Sequence, residues 1–371
     1  MTNEAGINSK IVFYLQNDLL GGAEQLLRLL ALNYCIEGEK VKIVILLEQK
    51  SNNWINLHEN MEITYLNAKN YFPGIFKLTY YLMKYREFEY HQVYSSNINI
   101  NGVLGLFRKI NILNVNQLII RETTLVFLRT KGLKRFFHVL KYILGYDGAD
   151  LVICQTDIMK NQFLDNLKIS RKWNLKVINN PLDYESIIRF SNEESEVVSN
   201  LKSIGYIISA GRFIPEKGFD LLIKAYKNIK HLTDFKLVII GDGKLRGYYE
   251  ELIAEYDLKN DVILPGFQNN PFIFFKYAEV CVVSSRVEGF PNVLLQMSSL
   301  NGKVASTLCA GGVEDIPGVL TCKADSIDEL SEILKKTITI NLSEEILDKK
   351  KEYLKNRSID AFISQVNQAV K

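Results

Sequence analysis

The sequence predicts an α/β protein made of two doubly wound, parallel-sheet domains of Rossmann-like architecture. Three observations carry this expectation. At 371 residues the chain exceeds what one ordinary core accommodates, so two domains are expected. Short β-branched runs, apolar on both faces, alternate with helical lengths from end to end, as parallel strands covered by helices do. The alternation occurs twice, on either side of the polar, Ser/Glu-rich stretch DYESIIRFSNEESEVVSNLKS (183–203), whose composition suits a domain boundary.

Taken in order, the strands of the first half are expected at 10–17, 40–49, 61–67, 91–97, 116–123, 149–156 and 176–181. Those of the second fall at 205–212, 235–243, 261–267, 279–285, 303–309 and 319–324. The expected domains are 1–185 and 203–348, and 349–371 reads as an amphipathic helical tail offering Tyr353, Leu354, Ala361, Phe362 and Val366 for docking. No repeat of 20 to 50 residues is visible.

Composition narrows the class. Hydrophobic residues at 47% and charged residues at 23% exclude disorder over most of the length. The start, MTNEAGINSK, lacks the basic and apolar regions of a signal peptide, and no apolar run reaches the roughly 18–20 residues of a spanning helix. A cytoplasmic protein is expected, with an association at the inner face of the membrane left open. The five cysteines form no CxxC pair, which suits reduced thiols, and the four histidines show no metal-ligand spacing. Basic residues number 22 against 17 acids up to residue 185 and 23 against 25 beyond it. The first-half excess lies between Arg121 and Lys141, where Glu122 is the single acid. An anionic partner or a solvated helix face explains such a cluster.

In open parallel sheets, ligands bind beyond the carboxyl ends of the strands, and four loops there hold the unusual residues. NDLLGGAEQLLRLL (17–30) places Gly21 and Gly22 ahead of a helix, where backbone can approach a ligand, and Asp18 can act as a base or a cap. SAGRFIPEKGFDLLIKAY (209–226) sets Arg212 and Lys217 around Pro215, with Gly211 and Gly218 freeing the backbone. Two cations at a helix N-terminus suit a diphosphate, Arg as a fork and Lys as a point charge. GDGKLRG (241–247) has GxGxxxG spacing, and no acid follows the next strand to hold a ribose, so a dinucleotide fold signature is absent. In the fourth loop, Glu288 precedes a helix expected from Asn292 to Leu300, with Gln296 about one turn inside it. Those two side chains, with the amides of Gly289, Phe290 and Asn292 between them, can grip a polyhydroxylated ligand at two points.

With these loops in order, the chain resembles the retaining glycosyltransferases of family 4, the group 1 nucleotide-sugar enzymes with the GT-B fold. The residues that carry the resemblance are GGAEQ (21–25), ADLVICQT (149–156), INNPLD (178–183), GRFIPEKG (211–218), IIGDGKLR (239–246), LPGF (264–267) and SSRVEGFPNVLLQM (284–297). It implies two Rossmann-like domains facing a cleft, with the C-terminal helix crossing back to the first. It also implies transfer of a hexose from a nucleotide-sugar, the commonest nucleotide being UDP, without a metal. Arg212 and Lys217 would bind the donor diphosphate, Glu288 the sugar hydroxyls, and Gly211, Gly289, Phe290, Asn292 and Gln296 would complete the donor site. Gly21 and Gly22 would close over the phosphates from the acceptor domain. The acceptor implied is a glycan or a polyprenyl-diphosphate-linked sugar of bacterial surface polysaccharides such as O-antigen or capsule, with no role for nucleic acid.

Two positions depart from the family pattern. Its second acid, eight residues after the first, grips the ribose; here that place is Gln296. Exchanging a charged acceptor for a neutral one weakens such a grip by roughly 1 kcal/mol, or about five- to tenfold in affinity. Where many relatives carry a His, IIRETT (119–124) has Arg121 and Glu122, which are expected on the acceptor side. A catalytically silent relative acting as a partner subunit is the alternative these departures motivate. Finally, RTKGLKRFFHVLKYILGYDGAD (129–150) and FPGIFKLTYYLMKYR (72–86) combine aromatic and basic residues. They read either as faces toward anionic lipid or as core helices with a solvated edge.

Overall fold

The computed structural model describes residues 10–87 and 89–370. The chain divides into two units: unit 1 holds the residues up to Pro181 together with those from Ile359 on, and unit 2 runs from Leu182 to Ser358.

Unit 1 starts with β1 (Ile11–Leu15), α1 (Gly22–Ile36), β2 (Val41–Leu47) and β3 (Met61–Ala68). It continues through α2 (Tyr71–Lys84), β4 (Tyr90–Ser95), α3 (Ile98–Lys109), β5 (Val115–Arg121), α4 (Val126–Arg129) and α5 (Gly132–Gly145). Then come β6 (Leu151–Cys154), α6 (Asp157–Asn166) and β7 (Leu175–Val177). The strands pair in parallel in the order β3-β2-β1-β4-β5-β6-β7. All five residues of β1 are buried, as expected of a central strand covered on both faces. Side-chain caps start several helices: Asn97 accepts from the Asn99 N–H at α3, and Thr156 from the Met159 N–H at α6.

Unit 2 opens with α7 (Tyr184–Phe190) and α8 (Glu196–Ile204), then β8 (Tyr206–Ala210), α9 (Phe219–Ile229), β9 (Lys236–Ile240) and α10 (Arg246–Glu255). It goes on with β10 (Val262–Ile263), α11 (Phe272–Tyr277), β11 (Val280–Val283), α12 (Asn292–Leu300), β12 (Val304–Thr307) and β13 (Val319–Cys322). α13 (Ile327–Thr339) and α14 (Glu344–Lys355) close the unit, and α15 (Ile359–Val370) belongs to unit 1. The sheet is parallel with the order β10-β9-β8-β11-β12-β13. Each sheet therefore reverses direction once, between β1 and β4 in one unit and between β8 and β11 in the other. These are the switch points where loops splay apart and leave a crevice.

The boundary region differs from a plain polar linker. Residues 183–203 form α7 and α8, capped by Asp183 and Ser195, and both pack on unit 2 through Ile187, Val198 and Leu201. The polar letters lie on the outer faces of short amphipathic helices, a pattern that composition averages away. The C-terminal tail also divides differently from a single helix beginning near 349. α14 stays with unit 2, burying Leu354 and Lys350, whereas Phe362 and Val366 of α15 enter the core of unit 1 beside Leu26, Leu30 and Ile43. Among the described residues, no helix is long and apolar enough to cross a membrane.

Candidate active site

In unit 2 the loops after β8 and β11 leave adjacent strands at the switch point. The first is held against the loop after β9: the Gly211 N–H donates to the Ile240 carbonyl at 2.9 Å and the Phe213 N–H to the Asp242 carbonyl at 2.9 Å. Phe213 itself is fully buried against Phe219 and Tyr249. Gly218, at φ +62°, ends the turn, and a Cβ there would stand 2.2 Å from the Ser284 carbonyl oxygen. Only glycine permits that approach, which brings the start of α9 against the end of β11.

This geometry joins two of the expected residues. Lys217 Nζ donates to both carboxylate oxygens of Glu288, at 2.8 and 2.9 Å, and the Ser285 hydroxyl also donates to Glu288 Oε1. The Lys217 stem crosses Gly211, where a Cβ would lie 3.2 Å from Cδ and Cε. The Glu288 N–H donates to the Cys309 carbonyl at 2.8 Å, and Thr307 Oγ1 to the Ser285 carbonyl at 2.5 Å, so the carboxylate rides on a loop braced by the next strand. Lys217 and Glu288 retain side-chain exposures of 17% and 15%, enough to meet a ligand.

Arg212 is not part of this cluster. It is exposed, and its guanidinium makes no hydrogen bond or ion pair among the described residues. The expected pair of cations is therefore one lysine already matched to a carboxylate and one arginine free to receive an anion. Gln296 sits one turn into α12, half-buried, its amide without a partner among the described residues. Asn292 opens that helix and is half-buried, as is Gly289. Phe290 is different: its ring is buried in the core and lies under Arg357 at 5.4 Å, leaving the backbone as its means of contact. Of the glycines of 241–247, Gly241 and Gly243 serve packing. A Cβ on Gly241, at φ +135°, would lie 1.9 Å from the Gly211 carbonyl oxygen.

A clamp that the sequence reading left without a role positions these loops. Arg286 donates through Nη1 and Nη2 to Asp220 at 2.8 and 2.6 Å, through Nε to Asp325 at 2.6 Å, and through Nη1 to the Pro215 carbonyl at 2.7 Å. Its N–H donates to the Glu216 carbonyl at 2.7 Å. Burial pushes Asp220 up, but the Arg286 hydrogen bonds and charge outweigh it and hold the carboxyl below its usual range. The same partners raise Arg286. The turn that carries Lys217 is thus tied to the loop that carries Glu288. An arginine one place past the serines was the only sequence signal.

In unit 1, α1 starts at Gly22 with Gly21 as its uncapped flank. The three residues expected on the acceptor side are all buried, Asp18 at 0%, Arg121 at 3% and Glu122 at 1% exposure. The Oδ2 of Asp18 accepts from the Lys50 and Ser51 N–H groups at 2.9 and 2.6 Å, and its carbonyl from Trp54 Nε1 at 3.1 Å, while Oδ1 has no partner among the described residues. It braces a loop. Glu122 accepts from Tyr146, from Tyr142 at 3.2 Å and from Asn101 at 3.4 Å. Burial raises its carboxyl to about 7 despite those donors. Arg121 donates to Asn180 at 2.5 Å, and its Nε and Nη1 have no partner among the described residues. Burial lowers its guanidinium to about 10 against the nearby charges of Glu24 and Glu122.

Residues 191–358 match the family described as Glycosyl transferases group 1. An uncharacterized glycosyltransferase of Methanocaldococcus jannaschii, MJ1059, is 33% identical over 252 residues, 65% of this chain and 62% of that protein. The N-acetylgalactosamine-N,N'-diacetylbacillosaminyl-diphospho-undecaprenol 4-alpha-N-acetylgalactosaminyltransferase of Campylobacter jejuni is 31% identical over 209 residues, 55% of this chain and 54% of that one. The matches thus span less than two thirds of either relative. Among solved structures, Anabaena Alr3699/HepE in complex with UDP and glucose superposes with a TM-score of 0.79 at 17% identity, covering 98% of this chain and 99% of that one. At that identity the likeness is one of fold, and the fold is GT-B.

Proposed function

We propose, from the premise that residues 191–358 form a group 1 glycosyl transferase domain, that this protein transfers a hexose from a nucleotide-sugar to a glycan or polyprenyl-diphosphate-linked acceptor, with retention and without a metal. The observation that carries the reading is the Lys217–Glu288 pair at the switch point, with an exposed Arg212 on the same loop as Lys217. Glu288, half neutralised by Lys217, accepts from sugar hydroxyls. Arg212 and Lys217 offset the charge that develops on the departing nucleoside diphosphate, as preorganised cations do. The amides of Gly289, Phe290 and Asn292 lie at the start of α12, where its dipole favours an anion, and Gln296 hydrogen-bonds the ribose. In unit 1, the N-terminal end of α1 at Gly21 and Gly22 and the guanidinium of Arg121 offer positive charge for phosphate oxygens.

The support for the donor and acceptor comes from a fold neighbour in complex with UDP and glucose and a relative named as a transferase acting on a diphospho-undecaprenol substrate. A UDP-sugar is accordingly the donor proposed, and surface polysaccharide assembly the setting.

Calorimetric titration with UDP, GDP and ADP tests the reading. UDP is expected to bind, Gln296→Glu to tighten it about five- to tenfold, and Lys217→Ala to lower transfer by roughly 10²–10³-fold. If no nucleotide binds either form, the donor-site assignment fails and a silent partner subunit becomes the better reading.

A further inference from the structure

Helix α5 packs in an unusual way. Gly105 of α3 and Gly145 of α5 meet backbone to backbone, so closely that a Cβ on Gly105 would lie 1.9 Å from the Gly145 carbonyl oxygen. A Cβ on Gly145 would lie 2.0 Å from the Gly102 carbonyl oxygen, and one on Gly148 2.2 Å from that of Gly105. Glycines thus fill the role that large side chains usually play, and the large side chains of α5 are left over. Leu133, Phe136, Phe137 and Leu144 are all exposed, Leu133 by 77%. Their spacing places them on one helical face.

A second helix presents the same kind of face. Phe72, Phe76, Tyr80 and Met83 of α2, at spacings of four, four and three, are exposed, Phe76 by 76%. Lys141 of α5 donates to Asn99 of α3 at 2.5 Å and stands 5.8 Å from the ring of Tyr71, the first residue of α2. The two faces therefore belong to one layer of unit 1. Large apolar side chains exposed together on one layer mark an interaction surface more often than isolated ones do.

Charge identifies the occupant. Residues 71–84 and 126–145 contain no Asp or Glu, and Lys77, Lys131 and Lys134 are exposed around the aromatic residues. A second copy of the chain would set cations against cations in a two-fold contact. An anionic bilayer instead offers hydrocarbon to the phenyl rings and phosphate to the lysines, the pattern by which amphipathic helices lie in an interface. We propose that this α2–α5 face seats unit 1 on an anionic phospholipid surface. The proposal stands apart from the transferase reading, since it invokes no residue of the switch-point site.

Co-sedimentation of the full chain with phosphatidylcholine vesicles, with and without phosphatidylglycerol, tests it. The protein is expected to sediment with the anionic vesicles and to release as salt rises. Phe76→Ser/Phe136→Ser is expected to weaken binding by roughly tenfold or more at every salt concentration, because two buried rings are lost. Lys131→Gln/Lys134→Gln is expected to remove mainly the salt-sensitive part. These side chains are exposed, so each variant should keep the parent's circular dichroism and melting profile. Absence of sedimentation with anionic vesicles at low salt overturns the proposal. So does equal binding by Phe76→Ser/Phe136→Ser, or a dimer in sedimentation velocity that this variant dissolves.

Discussion

Glu122 shows how far burial can shift one residue. Its carboxyl titrates near 7 in the folded chain against an ordinary 4.5, so the folded state holds its proton longer than the unfolded state does. Stability from this group is intact below the unfolded value, declines as pH rises from about 4.5 to 7, and levels off above that. At pH 8 the retained charge costs on the order of 3 kcal/mol. Glu122→Gln is therefore expected to raise the melting temperature at pH 8 and to leave it nearly unchanged at pH 4.5, as scanning calorimetry would show. At the switch point of unit 2, Lys217 and Glu288 were legible as residues, because glycine-flanked cations and an acid before a helix are rare together. Their mutual pairing was not, since 71 positions separate them.

Elements position the site through contacts that side-chain chemistry alone does not announce. Arg286 ties the Lys217 turn to the Glu288 loop with hydrogen bonds to two carboxylates and to the Pro215 carbonyl. Arg286→Gln removes that tie and leaves Asp220 without its main partner, so nucleotide affinity should drop about 10- to 100-fold while Gln296 and Arg212 remain in place, in keeping with the roughly 1.5–3 kcal/mol of a charged hydrogen bond. Unchanged titration curves for the variant would count against a positioning role. The α3–α5 crossing is the other contact of this kind. Gly105→Ala drives a methyl into the Gly145 carbonyl and is expected to cost at least about 1–3 kcal/mol by denaturant unfolding, the usual penalty of overpacking.

At the scale of the whole molecule, the last helix returns to the first unit. Phe362 and Val366 are buried at 3% and 0% exposure among residues of α1, β1 and β2, and Asn174 donates to the Ala369 carbonyl at 2.8 Å. Unit 1 is thus closed by residues that follow all of unit 2 in sequence. Phe362→Ala should destabilise unit 1 by about 3–5 kcal/mol while unit 2 unfolds as before. Limited proteolysis read by fragment mass separates the two: cleavage confined to residues of unit 1 is the expected result, and uniform cleavage would contradict it.

The sequence by itself determined the two parallel sheets, because β-branched runs at helical spacing admit few other packings. It also determined the loops that hold Arg212, Lys217, Glu288 and Gln296, because glycines and charges at strand ends stand out against an apolar background. Only the tertiary structure decided which of those charges meet, that Asp18 Oδ2 and both Glu122 carboxylate oxygens accept internal hydrogen bonds, and that α14 and α15 belong to different units. The physical reason is common to all three. Each outcome depends on contacts between residues tens to hundreds of positions apart, and local pattern carries the chemistry of a side chain but not the identity of the neighbour that folding brings to it.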